Sequence, residues 1–568
     1  MSSTTVLRNS AVGLVGIILA LTWLRRKLMP KPYPGIPYNK ESLARITGDI
    51  PNLMPIIEAT NEFSNTLFTV TTQKLGVPIA QLLFPGIRKP MVIVEDAREI
   101  EDILLRRNKE FDKAPMAVDM FAPMFPHSTL AQYTTPALRA QKRLWQDVMN
   151  TEFLRKAAAP NIHKAVLGLV DMWRLKATEI YNDQPFQVHD DLKDAALDAM
   201  WGAVVGEEPG LTRYNTSKLR GQLSGDQGTH DKPRGAFLRE EVRYIGATIS
   251  KNSNHPLPKW AQKFETYTPR YRKFRRTVLS GVGRVMNKAV ERFQLLETGQ
   301  LESDAFDQCM MDLVLRRQVL EARKAGKAPS DPTKDIGMLD ELFVMLVAGH
   351  DSTANAITWF LRFMESNPSV QSKLRTALRT AFPRPDPPTV DEIIQTDIPY
   401  LDGACEEGLR LAGTAKALLR QAVVNTEVLG CQIPKGTEVF LNLHINRQLA
   451  PVDEAKRSLS SQEAASKRGD GFKGPAGRDL GSFEPERWLV KENGKEVFNP
   501  YALPTLAFGG GYRGCFGRRL ATMEYRFFVI LLILNFEFLP LPEGLNGWSA
   551  QEKIFRHPDF PYARVKVL

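Results

Sequence analysis

The chain has 568 residues, 43% hydrophobic and 24% charged, with four cysteines and a formal net charge of +11. That composition suits a large globular core and excludes a disordered chain or a disulfide scaffold. The cysteines (309, 405, 431, 515) form no C-x-x-C pair and the eight histidines no H-E-x-x-H pattern, so a familiar zinc module is excluded too.

At the N-terminus, Ala11–Leu24 (AVGLVGIILALTWL) is apolar apart from Thr22 and is followed by Arg25-Arg26-Lys27. The run is shorter than the roughly 20 residues that span a bilayer. Its positive flank follows the apolar run, whereas a cleaved signal peptide carries it before. The expectation is an uncleaved single-pass anchor over 1–29, in the endoplasmic reticulum, with the rest of the chain cytoplasmic. The sequon at Asn215 should then stay unglycosylated. Residues 30–40 (PKPYPGIPYNK) read as a stiff Pro-rich hinge, and 41–568 as one large folded domain.

From about 90 to 360 the pattern is mostly helical, with a strand-like run at Met91–Val94. Two stretches read as irregular connections: 113–136, with four prolines, and 206–235, rich in Gly and polar residues. Within the first, the Met- and Phe-rich Met116–Phe125 suits contact with a lipophilic molecule. The basic run Arg270–Arg276 interleaves aromatics with cations, but no nucleic-acid module accompanies it, so no nucleic-acid partner is expected. Asp335–Glu365 is one long amphipathic stretch. Strands are predicted through 420–445, with Pro434-Lys-Gly436 as a turn, and 448–480 reads as a polar surface insertion. Arg518–Leu534 is a helix whose apolar end is core.

The informative segment is 506–519, LAFGGGYRGCFGRR. Gly509, Gly511 and Gly514 satisfy G-x-G-x-x-G, the loop that cradles a dinucleotide pyrophosphate. Its context fails, because two prolines interrupt the preceding strand and only about fifty residues remain for a doubly wound sheet. A metal reading fits better. Cys515 lies near a helix N-terminus, where free N–H groups and the dipole favour a thiolate. The glycines allow close approach of a flat macrocycle, and Arg513 can reach a haem propionate.

Phe508, Gly511, Arg513, Cys515 and Gly517 stand at every fixed position of F-x-x-G-x-R-x-C-x-G, the signature that this segment resembles in the cytochrome P-450 monooxygenases. The resemblance implies a mainly α fold with small β-sheets (α+β) and a haem b whose iron is held by the Cys515 thiolate. It also implies that Glu407, Arg410 and Arg487 form a buried ion triad. Ala348–Thr353 (AGHDST) is similar to the family segment on the helix crossing the haem, which makes Asp351 with Ser352 or Thr353 a proton relay. Gly349 would let that helix open locally. Arg143 and Arg420 occupy positions of propionate partners, although Arg139 stands where the family has Trp.

The implied reaction is activation of dioxygen to oxidise a lipophilic small molecule, and the resemblance to fungal members of the family points to secondary metabolism. Electrons would come from NADPH through a partner reductase, docking on a basic face that includes Arg518 and Arg519. The alternatives are a haem-thiolate isomerase or dehydratase needing no reductase and, from another class, a membrane-tethered haem-sensing or dinucleotide-binding protein.

Overall fold

Met91–Val94 is buried throughout and pairs on both edges, antiparallel to Ile79–Leu82 and parallel to Glu438–Asn442. Such two-sided burial explains its unbroken apolar sequence. The computed structural model describes residues 3–224, 233, 235–253, 255, 257–300, 308–328, 331–447, 451–468 and 479–568, with side chains from 14 onward. Contacts divide the chain into two units: residues 1–114 with 416–443 and 447–469, and residues 115–415 with 444–446 and 470–568.

The first unit holds a five-stranded sheet, ordered Ile79–Leu82, Met91–Val94, Glu438–Asn442, Ala417–Ala422, Phe111–Lys113. A hairpin pairs Thr426–Val428 with Cys431–Ile433, turning through Leu429 and Gly430, both at positive φ. The expected strands over 420–445 are therefore present. Within 448–480, the described part is ordered by charge. Arg457 donates to both carboxylate oxygens of Asp96 at 2.6 and 2.9 Å, and a helix follows at Leu459–Arg468.

The N-terminal helix, Ser3–Leu28, also belongs to this unit. Its apolar side chains from Leu14 to Leu24 are exposed, Trp23 by 62%. Among the described residues, however, no helix is long and apolar enough to cross a membrane. The expected single-pass span thus finds no support.

In the second unit a 31-residue helix, Ile336–Ser366, runs through the core, its N-terminus capped by the Asp335 carboxylate. It packs against His189–Val205, Pro399–Ala412 and Arg518–Asn535. The approach to His189–Val205 is close because Gly349 has no side chain: a Cβ there would lie 2.5 Å from Met200 Cε. The helix is continuous through Gly349, so the expected local opening is absent; the glycine makes room for a neighbour. Phe125 stacks on Phe343 at 5.7 Å and meets Phe274 edge-on, so the C-terminal end of Met116–Phe125 is core.

The expectation of an irregular 206–235 needs correction. Leu211–Ser224 is a helix, and the buried Asp198 carboxylate on another helix accepts from the Leu211 and Thr212 N–H groups. This cap comes from another part of the chain, so no local signal announces it. Residues 225–232 and 234 lie outside the described residues.

Between the long helix and Arg518–Asn535 lies Glu524, 1% exposed. Thr353 Oγ1 lies within hydrogen-bond distance of its Oε2, at 3.1 Å, while Oε1 has no hydrogen-bond partner. Burial pushes its carboxyl pKa up to about 8, against which the Thr353 bond works only weakly. The folded state therefore holds a proton that the unfolded state releases above its ordinary value near 4.5. Stability tied to this group is fully present below that pH and is lost as pH rises through about 8. Glu524→Gln keeps the neutral shape, so its Tm relative to wild type should rise between pH 5 and pH 9 in thermal melts. A constant difference would mean that Glu524 is already ionised.

Candidate functional site

The loop 506–517 is closed by its own backbone. Gly509 N donates to Leu506 O, Gly514 N to Gly511 O and Cys515 N to Phe508 O, at 2.8, 3.0 and 2.8 Å. Gly509 and Gly511 sit at φ +62° and +63°, where any side chain is strained. A Cβ on Gly514 would press within 3.2 Å of Gly510 C and Gly511 O. Gly517 then starts the helix Arg518–Asn535 as its N-cap.

Cys515 is exposed, yet the protein mass around it makes desolvation the largest influence on its thiol and raises the pKa. Opposing the burial are the Gly517 N–H on the sulfur and the charges of Arg518 and Lys142. A cation bonded to the sulfur adds to these and keeps a thiolate. The donor set therefore fits a haem iron: one sulfur, one backbone N–H to it, glycines instead of side chains on the loop, and cations nearby.

Arg513 Nη2 donates to Gln132 O at 2.9 Å and Thr129 O at 3.4 Å, which joins the loop to residues 129–132. That segment is held in turn by Glu341 on the long helix, which accepts from Thr129 N and Oγ1, both at 2.7 Å. Lys142, not Arg143, reaches the cysteine loop: its Nζ donates to Tyr512 O at 2.5 Å and lies over the Tyr512 ring at 4.5 Å. Arg143 is exposed. Arg420 is buried on a strand of the first unit, where its Nη1 donates to Leu419 O at 3.1 Å. Phe508 lies under the Arg518 guanidinium at 5.7 Å.

Glu407, Arg410 and Arg487 do come together. Arg410 grips Glu407 with two bonds of 2.8 and 2.6 Å, and Arg487 Nε donates to Glu407 Oε1 at 3.3 Å. The helix Pro399–Ala412 can lie this close to the 485–488 turn because Gly403 has no Cβ to strike Pro485 O. Two further donors complete the carboxylate: the Trp488 indole at 2.8 Å and Glu484 N at 3.1 Å. Arg410 and Arg487 also donate to Leu480 O and Asp479 O, so the triad fixes the chain where the 448–480 segment ends.

On the long helix, Asp351, Ser352 and Thr353 face different ways. The buried Thr353 donates to Gly349 O at 2.9 Å and points to Glu524. Ser352 is half-buried and donates to Ala348 O at 2.7 Å. Asp351 Oδ1 is paired with Lys193 Nζ at 2.8 Å, and Oδ2 lies 3.8 Å from His557 Nε2. Burial opposes its ionisation, but Lys193, with His557 and His350 nearby, outweighs that and holds the carboxyl at about 2. His350 is buried and bonded to Leu346 O, a packing residue. Lys193 and His557 had no sequence signal; only the fold puts them beside Asp351.

The cytochrome P450 family model matches residues 50–447 and 481–558. The chain belongs to the cytochrome P450 family. The P450 monooxygenase TRI13 of Fusarium sporotrichioides is 32% identical, over 96% of this chain and 97% of its own. The P450 monooxygenase xilC of Penicillium rubens is 33% identical, over 98% and 96%. A crystal structure of a cytochrome P450 (CYP102L1), 18% identical, covers 95% of this chain and 100% of its own with TM-score 0.64, which shows the shared fold. This P450 is accordingly a haem-dependent monooxygenase, and its family implies a cysteine-ligated haem. The two matched blocks leave out 448–480.

Removing Glu407 would strand two guanidinium groups that are 5% and 7% exposed. A buried pair broken on one side loses about 3–5 kcal/mol, so Glu407→Ala should leave little folded, haem-containing protein on purification. Glu152→Ala, which breaks the exposed Lys156 pair, should purify and melt like wild type.

Proposed function

We propose that Cys515 is the thiolate holding the haem iron, and that this P450 oxidises a lipophilic small molecule of specialised metabolism with electrons from NADPH through a reductase. The observation that carries the assignment is the exposed Cys515 sulfur, on a glycine-built loop, receiving one backbone N–H at the start of a helix. When bound, the haem supplies the electron and dioxygen chemistry that no side chain can. The chain's own residues place the sulfur, with the Gly517 N–H, Arg518 and Lys142 favouring its ionised form against burial, and they orient the substrate and deliver protons. The printed names of the fungal relatives, TRI13 and xilC monooxygenases, support the reaction class.

Ser352 is the relay alcohol in this reading, because Thr353 is turned toward Glu524. Asp351, ionised by Lys193, receives a proton at Oδ2 from the cavity beside it and passes it on; its low pKa makes it a conduit and not a proton store. Arg513 and Lys142 place positive charge beside the loop for carboxylates of the cofactor, and the exposed Arg518 adds a cation for an acidic reductase. For the membrane, the exposed apolar side chains of the N-terminal helix support contact with lipid without requiring a span. The exposed Trp260 and Phe264, with Lys263 beside Trp260, support a second lipid contact.

Reduced protein with carbon monoxide should show the strongly red-shifted Soret band of a thiolate-ligated haem, and Cys515→Ala should lose it; a band unchanged in that variant overturns the assignment. Ser352→Ala should lower product formed per NADPH by about tenfold or more, whereas Thr353→Ala stays within about twofold. The reverse order would make Thr353 the relay. Product formed without NADPH or reductase would favour an isomerase or dehydratase, whereas NADPH consumption that depends on added reductase supports the monooxygenase. Deleting residues 1–28 should shift the enzyme from the membrane pellet toward the supernatant, and an unchanged distribution would place the lipid contact elsewhere.

A further inference from the structure

His189 and His557 are 368 residues apart, yet their rings meet beside Asp351, with His557 Nδ1 3.1 Å from His189 Nε2. Their protons follow from the neighbours. Thr358 Oγ1 donates its proton to Ala354 O at 2.7 Å, so toward His189 Nδ1, 3.3 Å away, it offers only a lone pair. His189 Nδ1 therefore carries a hydrogen, and in the neutral ring its Nε2 is bare. The contact between the rings then requires His557 Nδ1 to be the donor. This leaves His557 Nε2 as a lone pair, and it faces Asp351 Oδ2 across 3.8 Å.

Two electron-rich atoms face each other there, too far apart for a hydrogen bond. A first-row dication with N and O ligands at roughly 2.0–2.1 Å bridges such a gap at an N–metal–O angle of about 135°. The arrangement behind it is that of a metal-binding histidine: His557 gives its other N–H to His189, which fixes both ring and tautomer. Ligand atoms of all three residues lie within 4.8 Å of one another. A cavity of about 150 Å³, lined in part by His557, Asp351, Lys193 and Lys553, has room for water to complete the coordination.

We propose that this cluster is a site for a borderline divalent cation such as zinc(II), ligated by His557 Nε2 and Asp351 Oδ2, with His189 as the residue that positions His557. The competitor is Lys193, which holds the other oxygen of the same carboxylate at 2.8 Å. Arg239 and Arg243 also line the cavity but are paired with Asp194 and Asp190, each at 2.7 Å. Together with Lys553 they make the field cationic and weaken the site, which suits reversible occupancy. Because the metal takes up Asp351, its occupancy inhibits oxidation; that consequence rests on the relay role proposed for Asp351, whereas the binding site does not.

The test is titration of purified holoenzyme with zinc chloride against a chromophoric chelator. One equivalent should bind. His557→Ala should abolish it, and His189→Ala should weaken it by 10- to 100-fold, the usual cost of losing such a partner. Lys193→Met, which removes the competitor without touching a ligand, should tighten binding by at least about tenfold. Binding that survives His557→Ala, or that Lys193→Met leaves unchanged, is an ion on other histidines and overturns the site. A retained red-shifted CO band in each variant shows that it is folded, and His557→Gln replaces His557→Ala if the latter is not. Zinc that binds as described but leaves product per NADPH unchanged upholds the site and overturns the relay role of Asp351.

Discussion

A carboxylate with no solvent exposure needs every lone pair answered, and Glu407 has five donors: two N–H groups of Arg410, one of Arg487, the Trp488 indole and the Glu484 amide. Much else in the second unit is held in relation to this ion. The arginines reach onward to the carbonyls of Leu480 and Asp479, and Trp488 O accepts from Asn499 N at the start of the stretch leading into the cysteine loop. The same helix packs on Arg518–Asn535, where Gly408 leaves space for the Tyr525 hydroxyl. Charge is thus kept in the interior for geometry: apolar replacements would suit the burial, but they would not aim five donors at one point.

From the other side, the loop is held by the long helix. Glu341 grips Thr129, and the carbonyls of Thr129 and Gln132 accept from Arg513, two residues before Cys515. Two chemically independent networks therefore converge on one sulfur. One is a buried salt bridge, and the other a relay of backbone and side-chain hydrogen bonds. This redundancy suits a ligand whose position must be held within fractions of an ångström while its surroundings admit substrate and protons.

What the sequence made legible was local. The ends of the long helix, the pairing runs around 420–445 and the cysteine loop are written in consecutive residues, and the structure has them where their periodicity and glycines put them. The triad was legible only through resemblance, since E-x-x-R also occurs at Glu240–Arg243, and there Arg243 makes a surface pair with Asp190. What was not legible depends on register and distance. Neighbouring residues on a helix point roughly 100° apart, which is why Lys142 reaches the Tyr512 carbonyl while the next residue, Arg143, is exposed. The partnerships of Thr353 with Glu524 and of His557 with His189 and Asp351 link segments 171 to 368 residues apart. The N-terminal apolar run was legible as well, but among the described residues no helix is long and apolar enough to cross a membrane.

The 14-residue helix Leu211–Ser224 is polar and too short to persist alone in water. Its first turn is held by Asp198, which belongs to the helix lying against Ile336–Ser366. Ordering of this stretch is therefore a late event in folding, waiting on a scaffold that must already be assembled. Conversely, any loosening of the 189–205 helix is felt at residue 211 as fraying, so protease sensitivity or amide exchange in this peripheral helix reports on the packing of the interior.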